Sequence, residues 1–211
     1  MLLSFSRGKD AIAAYLALRA DGIDVIPYHL YLVPGLEFVA ESLAYYEKVF
    51  GVRIINMPHP SLYRWLNNAV FQPPERLSAI EAAELPEFDY EDVRRVCCED
   101  YGLDADTWAC SGVRACDSPQ RRISFTRNGP LNQTLRKASV VWDWRKAEVL
   151  TQIEAAGIKL PVDYELWNRS FDGLGYRFLA PLKERLPRDY EKVLEWFPLA
   201  DLEIFRHERL R

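Results

Sequence analysis

The sequence predicts an α/β protein, a doubly wound parallel sheet of about five strands with a helical C-terminal appendage. Three observations lead there. The first 57 residues alternate short apolar runs with helix-period segments, in the order strand, helix, strand, helix, strand. That alternation calls for parallel strands joined by right-handed crossovers. Two further strand patterns follow, at 107–111 and 137–142, and from Leu160 onward only helix-period segments remain, punctuated by Pro161, Pro181, Pro187 and Pro198.

Each element has a local cause. The short apolar run at Leu2-Leu3 opens the first strand, and a polar, glycine-containing turn follows it. Ile12, Tyr15, Leu16 and Leu18 share one side of the first helix, which Asp21-Gly22 stops. The second strand spans 23–33, with Pro27 easiest to place at its start or on an edge. Pro34-Gly35-Leu36-Glu37 turns the chain. Val39, Leu43, Tyr46 and Phe50 then recur at helical spacing before Gly51, and 52–57 reads as the third strand. Leu62, Trp65, Leu66 and Val70 start a run of short helices broken by Pro73-Pro74 and Pro86, a helical insertion over about 59–104. After the fifth strand, Asp143 reads as the N-cap of a helix carrying Lys146, Val149 and Ile153. The organisation is therefore an α/β domain over 1–158 and an appendage over 159–211.

Composition narrows the class. A hydrophobic content of 49% with 27% charged residues is that of a globular protein. No apolar run approaches the roughly 18 residues of a spanning helix, so no membrane partner is expected. The amino terminus runs straight into a strand with neither a basic region nor a cleavage site, so a cytoplasmic location is expected. A net charge of −4 argues against nucleic-acid binding by the whole surface, but not by a local basic site. The four cysteines, Cys97, Cys98, Cys110 and Cys116, match neither Cys-x-x-Cys nor zinc spacing. Buried or incidental thiols are expected there, and an iron–sulfur cluster is not.

The most informative stretch is Ser4-Phe5-Ser6-Arg7-Gly8-Lys9-Asp10-Ala11, between the first strand and the first helix. Strand, tight turn and helix aim backbone N–H groups at an anion. Gly8 permits positive φ or close approach by a ligand. Ser6 can donate to a phosphate oxygen, Lys9 adds a mobile charge, and Asp10 suits a helix N-terminus or Mg²⁺. A second stretch follows the fourth strand: Gly112-Val113-Arg114-Ala115-Cys116-Asp117-Ser118-Pro119-Gln120-Arg121-Arg122. From Ser111 to Val140 there are six basic residues against one acidic, Asp117, so this segment departs from the acidic remainder. Arginines in a loop after a strand can fork onto phosphate or sulfate oxygens.

The first loop resembles Ser-Gly-Gly-Lys-Asp-Ser, the pyrophosphate loop (PP-loop) of the adenine nucleotide alpha-hydrolase superfamily. Arg7 stands where that pattern has its second residue as Gly, and Ala11 where it has Ser or Thr. Pro34-Gly35-Leu36-Glu37-Phe38 is similar, from the glycine onward, to the Thr-Gly-x-Glu-Phe turn of the phosphoadenylyl sulfate (PAPS) reductase branch, and Gly112-Val113-Arg114 to its Gly-x-Arg loop. The resemblance covers roughly residues 1–150. It implies a Rossmann-like, HUP-type fold and a site binding ATP or PAPS. Ser4, Ser6, Arg7, Gly8, Lys9, Asp10, Gly112, Arg114, Ser118, Arg121 and Arg122 would hold the phosphates. His29, Leu30 and Tyr31 would line the adenine pocket, although a strand histidine reads almost equally well as a half-buried core residue.

The chemistry implied is cleavage of ATP between the α and β phosphates with adenylation of an acceptor, with Lys9, Asp10 and Arg114 as the catalytic set and Mg²⁺ on Asp10. Three alternatives stay open. PAPS reduction needs a nucleophilic thiolate, and in that branch it comes from a C-terminal Glu-Cys-Gly-Leu-His; this chain has no cysteine after Cys116. A nucleotide-binding module without turnover is a second alternative, and a tRNA or DNA thiolation enzyme a third. The acceptor substrate, a homodimer and a nucleic-acid partner are left open.

Overall fold

The computed structural model describes residues 1–209. A six-stranded sheet combines with eleven helices among those residues. The strands are β1 (Leu2–Ser4), β2 (Ile26–Tyr31), β3 (Ile55–Pro58), β4 (Ala109–Ser111), β5 (Leu131–Asn132) and β6 (Lys137–Ser139). Their order across the sheet is β3-β2-β1-β4-β6-β5. β1 pairs in parallel with β2 and β4, β4 pairs in parallel with β6, and β5 pairs antiparallel with β6 as its hairpin partner. Strands 1 to 3 build out to one side of β1 and the later strands to the other, so the order reverses between β1 and β4. In such sheets, that switch point opens a crevice at the strands' carboxyl ends.

The sequence pattern locates the five principal strands but overextends them. β2 keeps six of the eleven residues expected, and the fifth expected strand is β6, three residues long. β5 was not anticipated: two residues after Gly129-Pro130 are too few for an alternation to register. Pro27 is the second residue of β2, and β2 lies between β3 and β1. A strand's start, not a sheet edge, is what accommodates it.

The chain divides into two compact units. The first comprises Met1–His29, Tyr46–Asn56 and Glu91–Pro161. Its centre is β1, whose Leu2 and Leu3 are wholly buried, as a strand covered on both faces requires. Helix α1 (Lys9–Ala20) buries Ala11, Ile12, Ala13, Ala14 and Tyr15 in succession, and packs on α7 (Lys146–Ala155). Small residues allow that close seating. Phe5, just past β1, meets the rings of Tyr46 and Phe50 edge-on, and Tyr15 stacks on Phe50 at 3.8 Å. Asp143 does not cap α7. The N-cap is Arg145, whose N–H donates to Glu148 Oε2 at 2.6 Å.

The second unit comprises Leu30–Tyr45, Met57–Tyr90 and the chain from Val162 onward. It holds the start of α2 (Glu37–Phe50), then α3 (Pro60–Asn67), α4 (Leu77–Ala82) and four C-terminal helices, α8 (Asp163–Trp167), α9 (Tyr176–Arg185), α10 (Pro187–Trp196) and α11 (Asp201–Arg209). Its core is aromatic: Phe38, Trp167, Phe171 and Phe178 contact one another with ring centroids 5.5 to 5.8 Å apart. Buried Asp189 on α10 caps α2, accepting from the backbone N–H groups of Glu37 and Phe38. No described helix is long and apolar enough to cross a membrane.

Burial pushes the Asp189 carboxyl above its ordinary value, against the pull of the two N–H donors. A carboxyl whose folded-state pKa is raised contributes stability at low pH and loses it as pH rises through that pKa. Asp189→Asn is expected to remove this slope while still accepting one of the N–H bonds. Asp189→Ala is expected to remove the slope as well and to lie about 1–2 kcal/mol below the Asn variant at every pH, the usual cost of a lost cap. Urea unfolding of both variants across the acid limb checks the pair.

Candidate phosphate-binding site

The loop after β1 is tied to β2 before it turns. Phe5 N–H donates to the Tyr28 carbonyl at 2.7 Å, and the Phe5 carbonyl accepts from His29 Nδ1 at 3.0 Å. A carbonyl only accepts, so that bond puts the His29 proton on Nδ1. His29 is buried and committed to this loop, while Leu30 and Tyr31 are partly exposed on the rest of β2.

The turn itself corrects one expectation. Gly8 has φ −75° and ψ 159°, an extended N-cap that any residue could adopt. The left-handed residue is Arg7, with φ 63°. Its side chain is buried at 1% exposure. An L-residue at that φ costs roughly 1–2 kcal/mol, which a glycine would avoid. The conformation expected of Gly8 is thus carried by the arginine that replaces the pattern's glycine. Ser6 is exposed, and its Oγ accepts only a long 3.4 Å contact from Gly8 N–H. The first turn of α1 has no side-chain cap. Its N–H groups therefore lie at the positive end of the helix dipole, at the carboxyl edge of β1.

The loop after β4 meets this turn backbone to backbone. A Cβ added at Gly112 would lie 2.4 Å from the Asp10 carbonyl oxygen and 2.9 Å from Ala11 N. Close approach, rather than positive φ, is what the glycine provides here. Two residues on, Arg114 reaches back to α1, its Nε 2.9 Å from Asp10 Oδ1, with a side chain only 5% exposed. The two atoms are close in charge contact but not aligned as a hydrogen bond, so both are buried without an aligned partner. Lys9 Nζ sits 2.5 Å from the other oxygen, Asp10 Oδ2. Arg114 also donates to Asp117 Oδ1 at 2.9 Å and to the Trp144 carbonyl at 3.4 Å. Arg121 pairs with Asp117 Oδ2 at 3.0 Å.

The structure thus brings Lys9, Asp10, Gly112, Arg114 and Arg121 together at the β1–β4 switch point, with Ser6, Arg7 and Gly8 in the adjoining turn. It gives other expected residues different tasks. Ser118 Oγ caps α6 (Pro119–Asn128), accepting from Arg121 N–H at 3.2 Å. Arg122 is exposed on that helix. Ser4 is the last residue of β1, partly buried beside Tyr28. Asp117 is the residue that sequence reasoning undervalued, noted only as the lone acid of a basic stretch. Its spacing held the signal: Arg114 and Arg121 stand three residues before and four after it, the offsets that face each other across a helical turn.

Mg²⁺ was expected on Asp10. Both of that carboxylate's oxygens are already held by cations, Lys9 on one and Arg114 on the other. One carboxylate so occupied does not fit a resident divalent ion, and no step is routed through one. Among the described residues no group of three or more His, Cys, Asp or Glu is placed to hold a metal. Cys97 and Cys98 lie on α5 (Tyr90–Asp100) and Cys110 on β4, all three buried, while Cys116 is exposed in the loop beside Arg114.

Two outcomes follow from this geometry. Gly112→Ala is expected to destabilise the protein by about 2–4 kcal/mol, because neither backbone can yield cheaply. Gly173→Ala, where nothing lies within 4 Å, is expected to stay within about 0.5 kcal/mol of the parent in the same denaturation series. Burial also pushes the Cys97 and Cys110 thiols up to about 11. At pH of about 8 a disulfide reagent is expected to label Cys116 alone in the folded protein, and all four thiols once it is unfolded.

No protein-family model matches the chain, and no curated protein matches it.

Proposed function

We propose that the protein is an adenine-nucleotide-binding protein of PP-loop type, with a HUP-type Rossmann-like fold, and that it lodges nucleotide phosphates between the β1–α1 loop and the loop after β4. One observation carries the reading. A nearly fully buried arginine, Arg114, crosses from the end of β4 to the uncapped first turn of α1, where it and Lys9 flank Asp10. Two neighbouring central strands end there, and a polyanion suits both the helix dipole and the cations.

ATP is the ligand the loop suits, with PAPS a second nucleotide of the same charge pattern. Backbone N–H groups of the α1 turn would hold one phosphate. Lys9 and Arg114 would neutralise charge that builds up between the α and β phosphates as an acceptor attacks in line. Such a reaction needs positioning and charge neutralisation more than a covalent group from the protein. Arg121, held by Asp117 at the rim, supplies a third cation. PAPS reduction finds less support, since it requires a thiolate at the sulfate and two of the four thiols are pushed well above neutrality.

A second reading is nucleotide binding without turnover. It is favoured by position 11, where a buried alanine at 3% exposure stands in place of a phosphate-binding hydroxyl, and by the occupied carboxylate of Asp10.

Calorimetric titration with ATP is expected to give a binding isotherm that Lys9→Ala weakens tenfold or more, since a charge-assisted contact is worth roughly 1.5–3 kcal/mol. Equal affinities would remove the phosphates from this loop. Release of AMP and pyrophosphate from α-labelled ATP, with a range of acceptors, separates the enzyme from the binding module.

A further inference from the structure

Residues 118–142 hold five cations, Arg121, Arg122, Arg127, Arg136 and Lys137, and no carboxylate, in a chain whose net charge is −4. The structure places that charge on an arm that buries almost nothing. Every residue from Gln120 to Leu135 is exposed except Phe125 and Pro130, which are partly so. Helix α6 has no buried residue at all. Isolated helices of this length are marginal in water, and α6 brings no buried apolar area to the core. Local features hold it: Pro119 in the first turn, the Ser118 cap, and Gly129 in the left-handed region at its end; Phe125 also meets the Trp142 ring outside the helix, with centroids 5.7 Å apart. Beyond it, β5 forms the open edge of the sheet.

Three of the cations have partners within the unit. Arg121 pairs with Asp117, Arg136 with Asp106, and Lys137 with Glu91. Arg122 and Arg127 make no ion pair among the described residues. At about 100° per residue they bound an arc of roughly 140° on α6, with Ile123 between them. Ile123 is 53% exposed, and Leu131 and Leu135 on the following hairpin are 56% and 46% exposed.

We infer that the arm from Ser118 to Lys137 binds a single-stranded nucleic acid along its phosphate backbone. The surface is charge-complementary to a polyanion, and four of its five cations are arginines, whose planar forks match phosphate oxygens. Exposed amides, Asn128 and Gln133 among them, lie between the arginines and can bond to sugars and base edges. The arm carries three exposed aliphatic side chains among its cations and amides, few for the apolar centre that a protein interface requires. Beside cations they suit the faces of unpaired bases, which a duplex keeps covered. Arg121 is shared with the nucleotide reading, but the inference does not rest on that reading, because the two cations put to the test, Arg122 and Arg127, are not among those the proposed site uses.

The test is fluorescence anisotropy with labelled single-stranded DNA and RNA of about 20 nucleotides, between about 50 and 200 mM salt. The wild-type chain is compared with the double variant Arg122→Glu/Arg127→Glu, with Arg127→Ala as a milder single change. All three should melt alike. The wild type is expected to bind, and to weaken steeply with salt. The double variant is expected to lose at least tenfold, with a salt slope shallower by about 1.4, the share of two phosphate contacts on a single strand. Arg127→Ala should fall between them, and Lys9→Ala should bind as the wild type does, whatever becomes of its nucleotide affinity. Unchanged affinity in the double variant would overturn the inference, as would no wild-type binding at the lowest salt. Three other outcomes would also overturn it: equal or tighter binding of a blunt duplex, tighter binding of polyglutamate, or a wild-type dimer that the double variant dissolves.

Discussion

The loop that follows β4 can pass the first turn of α1 only because position 112 has no side chain. That steric constraint comes before any electrostatics. With the two backbones in contact, Arg114 meets Asp10 directly. Its guanidinium is then too buried to stand without anions, and Asp10 and Asp117 supply them. Removing one partner from a buried pair typically costs about 3–5 kcal/mol, largely because the other charge is stranded. The fold therefore settles the site's electrostatics as a by-product of bringing two strand ends together.

The resulting line of charge alternates: Lys9, Asp10, Arg114, Asp117, Arg121. A phosphate arriving here would compete with carboxylates already in place. A single negative charge gains little by such an exchange. On the proposed reading a polyphosphate would bring several oxygens at once and would also meet the α1 dipole, which a single anion would not.

Much of this was legible in the sequence where periodicity was long. The βαβαβ start, the insertion of short helices and the helical tail follow from Leu2-Leu3, from Val39 to Phe50 and from the spaced prolines. Lys9, Asp10 and Arg114 could be named because residue type and position after a strand coincide. What failed to register was tertiary. Gly112 and Gly8 look alike in sequence, yet one is required by close approach and the other adopts an ordinary extended conformation, while Arg7 takes the left-handed turn. The capping role of Asp189 was equally invisible, since its partners on α2 lie some 150 residues away. Short elements such as β5 carry too few residues for any pattern.

That last bond has a consequence in time. A chain made from its amino end completes α2 early, with Glu37 and Phe38 presenting bare N–H groups at its start. Their acceptor arrives only with α10, some 150 residues further along the chain. Until then water must serve in place of Asp189, and α2 stays a helix with an open end. Helix α10 is thus the closing stitch of an element laid down long before it, and the second unit cannot reach its final form until α10 has been made.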